Sequence, residues 1–410
     1  MLPFERSCCI LRRTAILLEG RPNVPIRLLI LITDLDVGGT PLDVLRLATS
    51  LPRDRFAPLV VSLADVGPVG NRLQAAGIPV AACNARTTYD VRALARLIGI
   101  VRTFRPDILH SFLFHANLAA RLLGPVMGVA RDQTLCTILT VETERLWHLH
   151  VEALTCRRCR YVVANSRSVF RHLHGAAGVP RSRLRLIPGG VDLDAVVGVP
   201  PLDRRRLGLP ANAPIALWVG RLDPIKGLDD LITAAAILRP RAMVHFVLVG
   251  EGPYELALRR RMRETGTSDV VHLLGRRDDI PALLAMADLF VFPSRAEGLP
   301  NALLEAMASA KPIVTTDAPG CRDLICPERT GLIVPPRDPR ELAHAIERLI
   351  HDPALSAKLG TAARHWVAHH GSWSRTRRAW LTIYEEITGA ATAIARRNKP
   401  HLARNQSMPR

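Results

Sequence analysis

The stretch IALWVGRLDPIKGLDDLITAAAIL, residues 215–238, contains the plan of the whole chain. Its first five residues, Ile215–Val219, are apolar without alternation, which is how a strand covered on both faces reads. A loop with glycine at both ends and Pro224 inside follows, and Leu228–Leu238 then repeats apolar residues at helical spacing. The same unit recurs on either side. Strands are expected at Ile26–Ile32, Leu59–Leu63, Ile108–His110, Tyr161–Ala164, Val244–Val249, Leu289–Phe292 and Ile313–Thr315. Helices are expected at Pro41–Leu51, Val91–Phe104, Ala116–Leu123, Tyr254–Arg263 and Leu303–Ser309. Strands alternating with helices throughout specify a doubly wound α/β architecture with parallel sheets.

The alternation breaks once, at residues 192–213, which hold three prolines and no confident strand before the pattern restarts at Ile215. The expected organisation is therefore an N-terminal extension (1–25), a first Rossmann-like domain (26–191), a linker region (192–213), a second Rossmann-like domain (214–372), a C-terminal helix (373–388) and a disordered basic tail (389–410). In such sheets ligands bind beyond the carboxyl ends of the strands, so two domains face to face make a cleft lined by those loops.

The 410 residues are 48% hydrophobic and 22% charged, which excludes a disordered or fibrous chain. Aromatics at 4% exclude an aromatic stacking platform for single-stranded nucleic acid. No apolar run approaches the roughly 20 residues that span a bilayer. The net charge of +18 comes almost entirely from arginine, since Lys226, Lys311, Lys358 and Lys399 are the only lysines. Residues 145–185 carry nine arginines against one acid, Glu152, and residues 391–410 carry five cations and no acid. Such patches suit an anionic membrane surface or an acidic ligand as well as plain solvation.

Eight cysteines in a chain of this length form no disulfide framework. Cys156 and Cys159 make a C-x-x-C without a second pair or nearby histidines to complete a zinc site, and are expected to be ordinary thiols inside a helical stretch. The N-terminus carries charges inside its apolar run and lacks a clean cleavage site, so a cytoplasmic location is expected, with peripheral attachment to the inner face of the plasma membrane.

Three strand ends carry candidate chemistry. After the first strand, Asp34-Leu-Asp-Val-Gly-Gly-Thr-Pro41 places Gly38 and Gly39 at a helix start, where backbone can approach an anion closely. It is not the dinucleotide fingerprint, and its Asp34-x-Asp36 reads as a strand-end turn rather than a metal clamp. Gly220–Gly227 sets Arg221 and Lys226 five residues apart before a helix, a guanidinium and an ammonium that suit a diphosphate. Phe292–Met307 ends a strand, places Glu297 and Gly298-Leu299 in a loop, and sets Glu305 about one turn into the next helix. Carboxylates beside an anion nest would repel bare phosphate, but they suit hydroxyls of a ribose (Glu305) and a sugar (Glu297). The set asks for a nucleotide-diphosphate sugar.

The E-x7-E of Glu297 and Glu305, the G-R-x4-K-G loop and Gly38-Gly39 together resemble glycosyltransferase family 4, the retaining enzymes of the GT-B fold. Ile187-Pro-Gly-Gly-Val-Asp192, similar to the family's P-N-G-V-D, and Val249-Gly-Glu-Gly-Pro253 add to the likeness, which runs from about 26 to 388. The resemblance implies a GT-B pair of domains, the first for the acceptor and the second for the donor, with the C-terminal helix crossing back to the first. It further implies Arg221 and Lys226 on the donor diphosphate, Glu297 on the donor sugar, Gly298 and Leu299 at the phosphates, Glu305 on the ribose and Arg276 by the base. His115 would face the donor sugar and acceptor. Two departures stand out: Phe112 where the family often has histidine, and Gly189 where asparagine is usual.

The reaction expected is sugar transfer with retention to a glycan or lipid-linked acceptor in cell-envelope or exopolysaccharide synthesis, with no metal and no cofactor. The cationic pair would meet charge on the departing phosphate. A nucleotide-sugar epimerase and a catalytically silent binding protein are the competing readings on the same scaffold. Nucleic acid is not an expected partner, because the basic stretches lack aromatic interleaving and a recognition motif.

Overall fold

The computed structural model describes residues 24–87, 90–142 and 145–397. Seven strands form the first sheet: β1 (Ile26–Ile32), β2 (Phe56–Ser62), β3 (Val80–Ala82), β4 (Ile108–Phe112), β5 (Thr134–Ile138), β6 (Tyr161–Ala164) and β7 (Leu184–Leu186). Six form the second: β8 (Ile215–Val219), β9 (His245–Val249), β10 (Val271–Leu273), β11 (Leu289–Phe292), β12 (Ile313–Thr316) and β13 (Leu332–Val334). Helices that bear on the cleft are numbered α1 (Gly39–Ser50), α2 (Phe114–Leu123), α3 (Trp147–Thr155), α4 (Leu228–Leu238), α5 (Asn301–Ala308) and α6 (Trp373–Arg397).

Every strand pairing within the two sheets is parallel, and each sheet has the same winding. The orders are β3-β2-β1-β4-β5-β6-β7 and β10-β9-β8-β11-β12-β13. The strand order therefore reverses between β1 and β4 in the first sheet and between β8 and β11 in the second. A crevice opens at each reversal, beyond the strand ends. Leu28–Ile32 and Ile215–Trp218 are at most 1% exposed, as strands sandwiched between helix layers require.

Six expected elements match outright, namely β1, β6, β8, β11, α4 and the helix Val91–Phe104, and three more (β9, β12 and the helix Glu255–Glu264) fall within a residue of their expected bounds. β3, β5, β7, β10 and β13 are additional strands. The segment expected as a linker, 192–213, is not free: Val196 and Leu209 lie in the core of the second sheet, and Arg204 bonds the Met286 carbonyl and Asp288. The C-terminal helix does not end at 388 but continues to Arg397, so the tail expected from 389 is helical over its first part. Residues 398–410, and the N-terminal extension through residue 23, lie outside the described residues.

Helix α6 returns to the first domain. Trp380, Ile383, Tyr384 and Ile387 join the core cluster of Phe56, Ile108 and Phe112. Buried His110 receives two partners there: its Nδ1 lies 2.8 Å from Tyr384 Oη and its Nε2 2.7 Å from Thr137 Oγ1. Burial holds this imidazole down to about 3, so it is neutral and structural. The two crossings between domains lie side by side. Val191 N donates to Gly371 O and Trp373 N to Val191 O, both at 2.8 Å, and Thr376 Oγ1 donates to Pro188 O at 2.8 Å.

Cys83, Cys136, Cys156, Cys159 and Cys321 are buried free thiols and Cys326 is an exposed one. The C-x-x-C stands on a short 3-10 turn closing α3 and just beyond it, rather than inside a helix. Cys156 and Cys159 donate to the Ala153 and Cys156 carbonyls.

Candidate active site

The loops after β8 and β11 flank the switch point of the second sheet, and each carries one half of a charge pair. Lys226 Nζ donates to Glu297 Oε1 at 2.7 Å, with the side chains 20% and 11% exposed. Two further bonds stitch these loops together. Arg295 N donates to Ile225 O at 2.8 Å, and Arg295 Nη2 donates to Asp230 Oδ2 of α4 at 3.1 Å. Gly227, at φ +66°, closes the Lys226 turn, and a Cβ there would lie 2.1 Å from Pro293 O. The sequence thus folds so that an ammonium and a carboxylate meet at the crevice of the second sheet.

The first domain supplies the opposite wall. Gly38 precedes α1, and Gly39 opens it against Asn301, the first residue of α5, whose Nδ2 lies 3.6 Å from where a Cβ would stand. Asn301 Nδ2 donates to Asp43 Oδ1 at 2.9 Å. One turn further along α1, Arg46 Nη2 donates to Glu305 Oε1 at 2.8 Å. Burial pushes the Asp43 carboxyl up to about 6, against the lowering pull of Arg46 and Asn301. Arg46 Nη1 and, in the β11 loop, Ser294 Oγ are buried without a hydrogen-bond partner among the described groups.

Gly298 packs directly on the first domain: a Cβ at this position would stand 1.8 Å from Leu139 O. Leu299 reaches across to Gly189, where a Cβ would meet its Cδ2 at 2.4 Å. The glycine at 189 thereby leaves room for the Leu299 side chain. Phe112 is buried against His110 and Trp380 in the core of the first domain, so no polar group from that position faces the cleft.

Lys226, Glu297, Gly298, Leu299, Glu305, Gly38 and Gly39 are brought together around one interdomain cleft. Arg221 follows the same strand but is 69% exposed and bonds Asp223 Oδ2 at 2.6 Å. Its charge reaches Asp34, whose pKa burial raises and Arg221 lowers. Arg276 is exposed after β10 and meets none of the others; its neighbour Arg277 pairs with Asp279. His115 stands on the first turn of α2, after Leu113 at φ +72°, with its ring edge-on to Phe114 at 5.4 Å. Burial first, then the nearby His148 and Arg145, lowers its pKa, so this imidazole is neutral at pH 7. No contact joins it to Glu297 or Lys226. Asp36 N donates to Asp34 Oδ1 at 3.3 Å, the local turn expected there. Among the described residues no group of three or more metal-ligating side chains occurs.

Asp43, Arg46, Asn301 and Arg295 were not legible as site residues. Asp43 and Arg46 are spaced i, i+3, which by itself marks only one helix face.

Two doubly wound domains with facing strand-end loops, one bearing a cation–carboxylate pair at its switch point, define a two-domain GT-B fold around an interdomain cleft. Residues 37–195 match the family model described as Glycosyltransferase Family 4, and residues 201–366 the one described as Glycosyl transferases group 1. The D-inositol 3-phosphate glycosyltransferase of Salinispora arenicola is 33% identical over 312 residues, 69% of each chain. The chain belongs to glycosyltransferase family 4. The alpha-D-kanosaminyltransferase of Streptomyces kanamyceticus is 36% identical over 187 residues, 45% of this chain and 48% of that one. In that match the chain spans about half the length of its curated relative. Anabaena HepE, solved with UDP and glucose, superposes with a TM-score of 0.77 at 23% identity, covering 90% of this chain and 100% of its own. That likeness shows the GT-B fold. Among the described residues no helix is long and apolar enough to cross a membrane.

Proposed function

We propose that the protein transfers a hexosyl group from a nucleoside-diphosphate sugar to a hydroxyl of a glycan or lipid-linked acceptor, with retention of configuration. The observation that carries this reading is the Lys226–Glu297 contact at the switch point of the second sheet, 2.7 Å long and largely shielded from water. A bound diphosphate would draw the ammonium away from Glu297, which is then free to accept hydroxyls of the sugar. Glu305 exchanges Arg46 for the ribose in the same way.

Arg221 is mobile enough, at 69% exposure, to swing from Asp223 onto the phosphates. Lys226, Arg221 and the backbone N–H groups around Gly298 then stabilise charge on the departing phosphate, the role a divalent ion plays elsewhere. The reading therefore needs neither metal nor cofactor. The acceptor hydroxyl attacks from the face the phosphate leaves, and a phosphate oxygen takes its proton. Neutral His115 on the opposite wall orients the sugars rather than carrying the proton. A place in cell-envelope or exopolysaccharide synthesis, at the cytoplasmic face of the membrane, belongs to the same proposal. The relatives named above, with inositol phosphate and kanosamine in their names, support the transferase class and leave the acceptor to experiment.

The test is a thermal-shift panel of UDP, GDP, ADP and their hexose conjugates, followed by NMR of the product's anomeric proton. A shift with one nucleotide, lost in Lys226→Ala and Glu305→Ala, with a product of the donor's own anomeric configuration, is expected. A shift with NAD alone, or an inverted product, overturns the reading.

A further inference from the structure

Helix α3 is built inside out. Its buried positions are His148, Leu149 and Glu152, and Glu152, 4% exposed, is neutralised there by Arg121, itself 1% exposed. His148 Nδ1 lies 2.8 Å from Glu142 Oε2. Outward stand Trp147, 53% exposed, and Leu154, 80% exposed, with half-buried Val151 between them and Leu146, 58% exposed, just before. Positions 147, 151 and 154 share one face of a helix, so the apolar stripe points at solvent and the acid points at the core. Leu122 and Val126, on and just after the neighbouring α2, are 43% and 49% exposed.

The rim of this stripe is rich in arginine. Arg145 precedes the helix and Arg157 and Arg158 close it, all exposed, while Glu142 at the N-terminal edge accepts from the Arg145 backbone N–H and faces His148. Turning Glu152 inward removes the only acid between residues 145 and 185 from the surface. An apolar strip containing a tryptophan, flanked at both ends by arginines, matches a helix lying in a bilayer interface, with rings and aliphatics at the acyl boundary and guanidinium groups on lipid phosphates. A protein partner would need acidic groups around an apolar socket; a bilayer with anionic headgroups offers both over any area. The stripe also starts beside His115, since the Trp147 ring stands edge-on to Phe114 at 5.3 Å, and Phe114 adjoins His115.

We infer that α3 docks the protein on an anionic lipid surface, with the His115 wall of the cleft opening toward the headgroups, so that the acceptor hydroxyl is carried by a lipid. The docking stands on the surface alone; the acceptor class rests on the transferase reading.

The experiment is co-sedimentation of the full chain with vesicles of phosphatidylcholine, or of phosphatidylcholine with about one-third phosphatidylglycerol. Binding is expected only to the second. Leu146→Ser/Leu154→Ser should weaken it about tenfold or more, and Arg157→Ala/Arg158→Ala roughly thirtyfold, with the latter difference vanishing at high salt. Nucleotide binding by calorimetry should be unchanged in both variants. Equal vesicle binding by wild type and variants overturns the inference, and so does a concentration-dependent dimer that Leu154→Ser dissolves, which would give the face to a second copy. Vesicle binding lost in the variants without any nucleotide binding by the wild type would leave the docking standing and sink the transferase reading.

Discussion

Arg46 of the first domain holds Glu305 of the second at 2.8 Å, so the carboxylate suited to a ribose is occupied by the opposite wall of the cleft. Asp43 and Asn301 repeat the connection one turn earlier on α1. The two pairs close the domains through the same helix, α5, that a nucleotide would use. On the proposed reading, closure and ribose recognition compete for Glu305.

Replacing Arg46 with alanine should free that carboxylate. A partly exposed pair of this kind contributes about 1 kcal/mol, so the dissociation constant for the donor nucleotide should fall about fivefold. Isothermal calorimetry measures it directly. A weaker rather than a tighter nucleotide would mean that Arg46 itself touches the donor.

Lys226→Ala should lower turnover by about 10² to 10³, the scale of losing one preorganised partner for developing charge. Steady-state kinetics with the donor that the thermal-shift panel selects would show the drop mainly in kcat. Unchanged activity would remove Lys226 from the phosphate.

At Gly298 an added methyl would stand 1.8 Å from the Leu139 carbonyl, backbone that cannot turn aside. Gly298→Ala should hold the domains apart while leaving each core intact. A displacement of about 1 Å at the reacting centre corresponds to roughly a hundredfold loss of rate. Small-angle scattering should report a larger radius of gyration at an unchanged melting temperature; an unchanged radius would contradict the close packing.

His110 makes a pH prediction. Its pKa is held at about 3 in the fold, below the ordinary histidine value. Between those values the unfolded chain binds the extra proton, so stability rises with pH through that window and is lost on acidification below about 6.5. The slope assigned to this group is about 1.4 kcal/mol per pH unit. Urea melts at stepped pH should lose that slope in His110→Gln, whose amide can still bond Tyr384 or Thr137.

Much of this was legible because strands covered on both faces are written as plain apolar runs. β1, β6, β8 and β11 read that way from end to end. β3, β7, β10 and β13 have three residues each, too short for any period to register, and β5 is Thr-Leu-Cys-Thr-Ile, whose hydroxyls hid it. The same logic separates the site residues. Lys226, Glu297 and Glu305 follow strand ends, and the strand order alone brings those ends to one crevice. Arg46, Asp43 and Asn301 become a site only when the two sheets face each other, and nothing local in α1 records that meeting. Arg221 and Arg276 sit in the expected loops, but loop position does not fix where a long exposed side chain turns.

The return of α6 to the first domain also sets an order of assembly. Trp380, Ile383, Tyr384 and Ile387 fill the core around Phe56 and Ile108, yet they are made after every strand of the second sheet. A nascent chain that has emerged through β7 still lacks these four plugs, each worth roughly 1.5–3 kcal/mol when buried. Of the two sheet domains, the one made earlier is thus the later to be completed, and until α6 has been made it presents an unfilled apolar slot to whatever guards new chains.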